Sequence, residues 1–160
     1  METMQLITRV LCPIDFDVNS LAALDMARNL TQGNGASLYV LHVLVPSHPL
    51  IISAPFLAER AHNYARIRLD EIARESLRNV DHHLLLKTGD PAETIVGTAQ
   101  ELGADLLVMA THGRTGVPRF FLGSVAEKVM RKSLCPVLTI RGLSSPEQAT
   151  PHAATGARTA

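Results

Sequence analysis

A chain of 160 residues suits a single domain, large enough to bury about two-thirds of its unfolded surface without disulfides or metals. Fifteen basic residues balance fifteen acidic ones, which excludes an overall field drawing the chain to nucleic acid or to an anionic membrane. Hydrophobic residues make up 46%, yet no apolar run approaches the ~20 residues of a membrane span and no signal-type core follows a basic start, so a soluble, cytoplasmic protein is expected.

Val10 to Ile14 is an apolar run without polar alternation, the pattern of a strand buried on both faces. Asn19 or Ser20 is expected to cap a helix running to about Thr31, with Leu21, Leu24, Ala27 and Leu30 inward and Gly33-Asn34-Gly35 at its end. Leu38 to Val45 is a second buried run. Pro46, Pro49 and Pro55 interrupt regular structure, and a long helix then turns Phe56, Ala61, Tyr64, Ile67, Ile72 and Leu77 inward with a charged outer face. Leu84 to Leu86 forms a third strand. Asp90-Pro91-Ala92-Glu93 supplies an N-cap, an N1 proline and an N3 glutamate for a helix that stops at Gly103. Leu106 to Ala110 is the fourth strand and Pro136 to Ile140 the fifth. Five apolar runs alternating with four helices predict an α/β domain with a parallel sheet. Cys12 and Cys135 lie beside apolar runs and are expected to be buried free thiols, with no spacing for a metal or a disulfide. The segment after Gly142 holds one large apolar residue and reads as a flexible tail, 143–160, behind a domain of residues 1–142.

Between the fourth strand and the last helix lies Thr-His-Gly-Arg-Thr-Gly-Val-Pro-Arg-Phe-Phe-Leu-Gly-Ser, residues 111–124. Its glycines allow a close backbone approach, and Ser124 with Glu127 forms a capping box at a helix start, whose amides and dipole suit a phosphate; Arg114 and Arg119 stand nearby as further charges. A long turn is the plainer reading of the same residues. Neither the P-loop lysine nor a glycine fingerprint after the first strand is present. On the residues alone Asp15 reads as a turn or cap residue, and His42 as a core or strand-end residue. Adjacent His82 and His83 point to opposite faces of a strand and do not make a joint metal site.

Gly113, nine residues, then Gly123-Ser124, with Met-Ala-Thr-His before and Ser-Val-Ala-Glu-Lys-Val and Cys-Pro-Val-Leu-Thr-Ile after, closely resembles the nucleotide-binding signature of the universal stress protein family, G-x2-G-x9-G-[ST]. One position departs: Ala110 stands where the pattern has its first glycine, and its extra methyl is expected to weaken binding without abolishing it. The resemblance covers about residues 6–141. It implies an open, Rossmann-like sheet in the order 3-2-1-4-5 with helices on both faces, and a ligand crevice where the winding reverses. It also implies ATP with Mg²⁺ held mainly by the phosphates. Pro13 and Asp15 would lie at the adenine and ribose end, and Val43 would meet the base through its backbone. Met109 and Ala110 would stand at the strand end, while His112, Gly113, Arg114, Gly123, Ser124, Val125 and Ala126 would hold ribose and phosphates.

No G-x-S-x-G elbow, H-E-x-x-H or cysteine cluster identifies a catalytic residue. The expected function is therefore a nucleotide-dependent regulatory module in the stress response, with an undefined protein client. Slow ATP hydrolysis, or an interaction module of the same fold without nucleotide, are the alternatives. The resembled family also implies a homodimer through the fifth strand, Val137 to Ile140.

Overall fold

The computed structural model describes residues 7–46, 55–111 and 123–141. Its elements are β1 Arg9–Pro13, α1 Val18–Thr31, β2 Ser37–Leu44, α2 Pro55–Ser76, β3 His82–Thr88, α3 Pro91–Leu102, β4 Leu106–Ala110, α4 Ser124–Lys132 and β5 Val137–Ile140. All strand pairs are parallel and the order is β3-β2-β1-β4-β5. The expected α/β class and strand order are both present.

Continuous apolar strands arise because each side of the sheet is covered. Val10, Cys12, Leu38, Val40 and Val108 pack with Ala23, Leu24 and Ala27 of α1 and Leu69, Ile72 and Ala73 of α2. The alternate residues Leu11, Leu41, Leu107 and Met109 pack with Ala92, Ile95, Val96 and Ala99 of α3 and Ala126 and Val129 of α4. Two of the described helices therefore lie on each face, with the alternation of period two assigning every strand side chain to one layer.

Local chemistry sets most boundaries. The Asp90 carboxylate accepts the Glu93 amide at 3.0 Å, Pro91 occupies the first turn of α3, and Gly103 ends it in the left-handed conformation at φ 57°. Pro55 opens α2, where a proline has no helical hydrogen bond to lose. At the opposite end of the sheet from Pro13, the Asp105 Oδ2 accepts three bonds, from the Thr8 amide, the Thr8 hydroxyl and the Arg9 amide.

Four expectations are corrected. The N-cap of α1 is Asp17, whose Oδ1 accepts the Asn19 amide at 2.9 Å; Ser20 is already inside the helix and bonds back to the Asp17 carbonyl. In α2 the inward residues are Ala65, Leu69, Ile72, Ala73 and, just beyond the helix, Leu77, whereas Phe56, Tyr64 and Ile67 are exposed. At 100° per residue those three lie on the far side of the helix from Ala65 and Leu69. The capping box is not formed: Gly123 is the N-cap of α4 and no side chain caps it, because Ser124 is itself the first helical residue. Cys12 is fully buried, and burial drives its thiol pKa far up, but Cys135 is only half-buried beside Ser133. The expected tail and the arginines and aromatics of 112–122 lie outside the described residues.

Candidate functional site

At their carboxyl ends β1 and β4 are neighbours from which the chain leaves in opposite directions, so the sheet cannot be covered there by either helix layer. A cavity of about 340 Å³ opens at this point. Pro13 at the end of β1, Asp15 from the loop after it, Val43 from β2, Met109 and Ala110 from β4, and Gly123, Ser124, Val125 and Ala126 at the start of α4 all line it. His112, Gly113 and Arg114 lie outside the described residues. Ala110 holds ordinary strand geometry, since among the described residues Phe16 alone of the non-glycines has a positive φ.

Ile14, Ser20, Leu41, Val45, Pro91, Ile95 and Thr111 also line the cavity and were not singled out from the sequence. Leu41 was reachable by period two from Val43, and Pro91 and Ile95 form the first turns of a helix whose start faces the same end of the sheet. Ser20 was not reachable, because its place depends on the folded loop: its Oγ accepts the Asp15 amide at 3.2 Å and donates to the Asp17 carbonyl at 2.9 Å.

Chemically the cavity has two ends. Pro13, Ile14, Leu41, Val43, Pro91, Ile95 and Met109 make an apolar slot, while Asp15 is the one charged side chain of the described lining. The first-turn amides of α4 form the other end. Gly123 donates its own amide to the Thr111 carbonyl at 2.7 Å, and the first helical bond runs from the Glu127 amide to the Gly123 carbonyl. The amides of Ser124, Val125 and Ala126 therefore point out of the helix, and among the described residues no N-cap side chain meets them, an arrangement that suits an anion.

Strand β2 outruns β1, which matters for the slot. The Ile14 amide donates to the Leu41 carbonyl at 2.8 Å, and by the parallel ladder the amide and carbonyl of Val43 turn to the same side, beyond the last paired residue of β1. His42 points to the other face. Its Nδ1–H donates to the Ile14 carbonyl at 2.8 Å, and its ring stacks on Phe16 with centroids 4.2 Å apart. Burial pushes the His42 pKa below the ordinary imidazole value, against the opposing pull of the Ile14 bond and the Asp15 charge.

A family model described as the universal stress protein family matches residues 7–141. The chain belongs to that family. Among its universal stress protein relatives, one from Thermus aquaticus is 34% identical over 136 residues, covering 82% of this chain and 97% of its own. Protein MJ0577 of Methanocaldococcus jannaschii is 27% identical over 156 residues, with 86% and 96% covered. The solved structure of MJ0577 superimposes with a TM-score of 0.80 at 26% identity, covering 88% of this chain and 99% of that one. A further universal stress protein, solved in complex with cAMP, superimposes with a TM-score of 0.65 at 26% identity, covering 86% and 98%. No helix among the described residues is long and apolar enough to cross a membrane.

Proposed function

We propose that this universal stress protein binds ATP in the cavity between the β1 loop and α4 and acts as a nucleotide-dependent regulatory module in the cytoplasm. The observation that carries the reading is the meeting, in one cavity, of a backbone-edged apolar slot, a single carboxylate and the uncapped start of α4. Each part suits one part of a nucleotide. The Val43 amide and carbonyl offer a donor and an acceptor to the edge of the base, Asp15 accepts from ribose hydroxyls, and the amides of Ser124 to Ala126 with the Ser124 hydroxyl receive the phosphates. Among the described residues no three His, Cys, Asp or Glu side chains cluster to hold a metal, so Mg²⁺ would be carried by the phosphates. The bound cAMP in a family member supports the nucleotide class.

Calorimetry with Mg·ATP tests this. Several charge-assisted hydrogen bonds of about 1.5–3 kcal/mol each, less the cost of immobilising the ligand, predict a Kd in the micromolar range. The absence of both heat and a thermal shift at millimolar ATP would favour the interaction-module reading, and tighter binding of cAMP would reassign the ligand. Hydrolysis faster than about 1 s⁻¹ would overturn the regulatory reading.

A homodimer through β5 is part of the same proposal. This edge strand bonds to β4 through the carbonyls of Pro136 and Ile140, so the polar groups of Val137 and Thr139 point outward, beside exposed Leu134 and Leu138. Pairing with a second copy across a two-fold axis satisfies them. Light scattering is expected to give twice the 17.3 kDa chain mass, and Thr139→Pro, which removes an outward donor, to give the monomer. A wild-type monomer that dimerises only after removal of residues 143–160 would instead mean that the tail covers this edge.

A further inference from the structure

The sheet loses one hydrogen bond at the mouth of the cavity, and a side chain takes it. In a parallel ladder, a residue whose amide donates to position 41 of its neighbour accepts at its carbonyl from the amide of position 43. The Ile14 amide does donate to the Leu41 carbonyl, at 2.8 Å. The Ile14 carbonyl, however, is met at 2.8 Å by Nδ1 of His42. We infer that His42 is a positioning residue of the candidate site: by occupying the Ile14 carbonyl with its side chain, it ends the β1–β2 ladder and leaves the Val43 amide facing the cavity.

Three observations bear on this. Leu41 and Val43 line the cavity and His42 does not, as the alternation of β2 requires, so the imidazole acts from behind the loop and not on a ligand. The ring is braced at 4.2 Å against Phe16, which holds φ 67°, a conformation that a bulky side chain keeps only where its surroundings impose it. Finally, the ring is half-buried and burial disfavours its charged form, which leaves one N–H, and the Ile14 carbonyl assigns that proton to Nδ1. Asp15, between Ile14 and Phe16, is held by bonds of its own loop: its amide donates to the Ser20 Oγ at 3.2 Å and its Oδ1 accepts the Asp17 amide at 3.1 Å.

Its effect on affinity rests on the nucleotide reading of the cavity, but its effect on the Val43 amide does not. Nuclear magnetic resonance on the ligand-free protein is expected to find His42 as the Nδ1–H tautomer and the Val43 amide exchanging faster than its neighbours in β2. His42→Phe keeps a ring against Phe16 but removes the donor; the Ile14 carbonyl should then capture the Val43 amide, slowing its exchange and weakening Mg·ATP by about tenfold. His42→Asn, whose amide nitrogen can stand where Nδ1 stands, should restore both properties. An Nε2–H tautomer, or a Val43 amide already protected in the wild type, would overturn the inference without any variant having to fold. Unchanged exchange at Val43 in a folded His42→Phe protein would do the same. Wild-type protein that ignores ATP but shows the expected Val43 exchange would sink the nucleotide reading and leave this one standing.

Discussion

Replacing Gly123 with valine is expected to weaken Mg·ATP by at least about a hundredfold while leaving the fold intact. The backbone of Gly123 sits at φ −60°, ψ 144°, which valine adopts without strain, and its amide bond to the Thr111 carbonyl survives the change. What changes is the space before the α4 amides. Gly123 lines the cavity directly ahead of Ser124, Val125 and Ala126, so a branched side chain would stand where a phosphate has to approach. An unchanged Kd in a variant with native thermal stability would remove this helix start from the site. Glycine at position 110 should act in the opposite sense, since Ala110 lines the same cavity and in the proposed nucleotide reading its methyl would reduce the room for the ribose. Equal or weaker binding by Ala110→Gly would count against that part of the reading.

Much of this geometry was legible because a parallel sheet covered on both faces forces long apolar runs. Leu106–Ala110 was predicted to the residue, and the start and end of α3 followed from Asp90, Pro91, Glu93 and Gly103. Misreadings arose where more than one local solution was available. Asp17, Asn19 and Ser20 can each cap a helix, and the choice falls to Asp17 because Ser20 is drawn into the bonds with Asp15 and Asp17 that shape the loop. Along α2 two apolar stripes compete. The stripe with Ala65 and Ala73 faces the sheet, and the bulkier Phe56, Tyr64 and Ile67 stay outside, a choice made by tertiary packing and not by period. The lining of the candidate site was legible as strand ends and a helix start, since topology alone brings those together. The part played by His42 was not, because it depends on the register of β2 against β1 and on a side chain substituting for a backbone donor.

Loss of the Asp105 carboxylate is expected to destabilise the fold at neutral pH but not in acid. Asp105 precedes β4, and its Oδ2 receives the Thr8 amide at 2.9 Å, the Thr8 hydroxyl at 2.8 Å and the Arg9 amide at 2.9 Å. Its own amide returns to the Arg9 carbonyl at 2.9 Å, so one residue fastens the start of β4 to the start of its neighbour β1, the central strand. The Thr8 backbone and side-chain bonds lead in holding its pKa below the ordinary carboxylate value, with the Arg9 amide and charge adding to them against a partial opposing effect of burial. The sign follows from that direction. A carboxyl with a depressed folded pKa binds fewer protons folded than unfolded, so its stabilisation is complete above the unfolded value near 3.8 and is lost as pH falls through the folded one. Water reaches this site, which reduces three charge-assisted bonds to about 1–2 kcal/mol in total. For a chain of this length that predicts a Tm about 2–8 °C lower for Asp105→Ala at pH 7. The gap between variant and wild type should narrow as the pH is lowered below 3.8 and close once Asp105 is protonated in the folded protein. A gap that stayed constant from pH 7 to pH 2.5 would mean that the alanine removes packing and not a charged anchor.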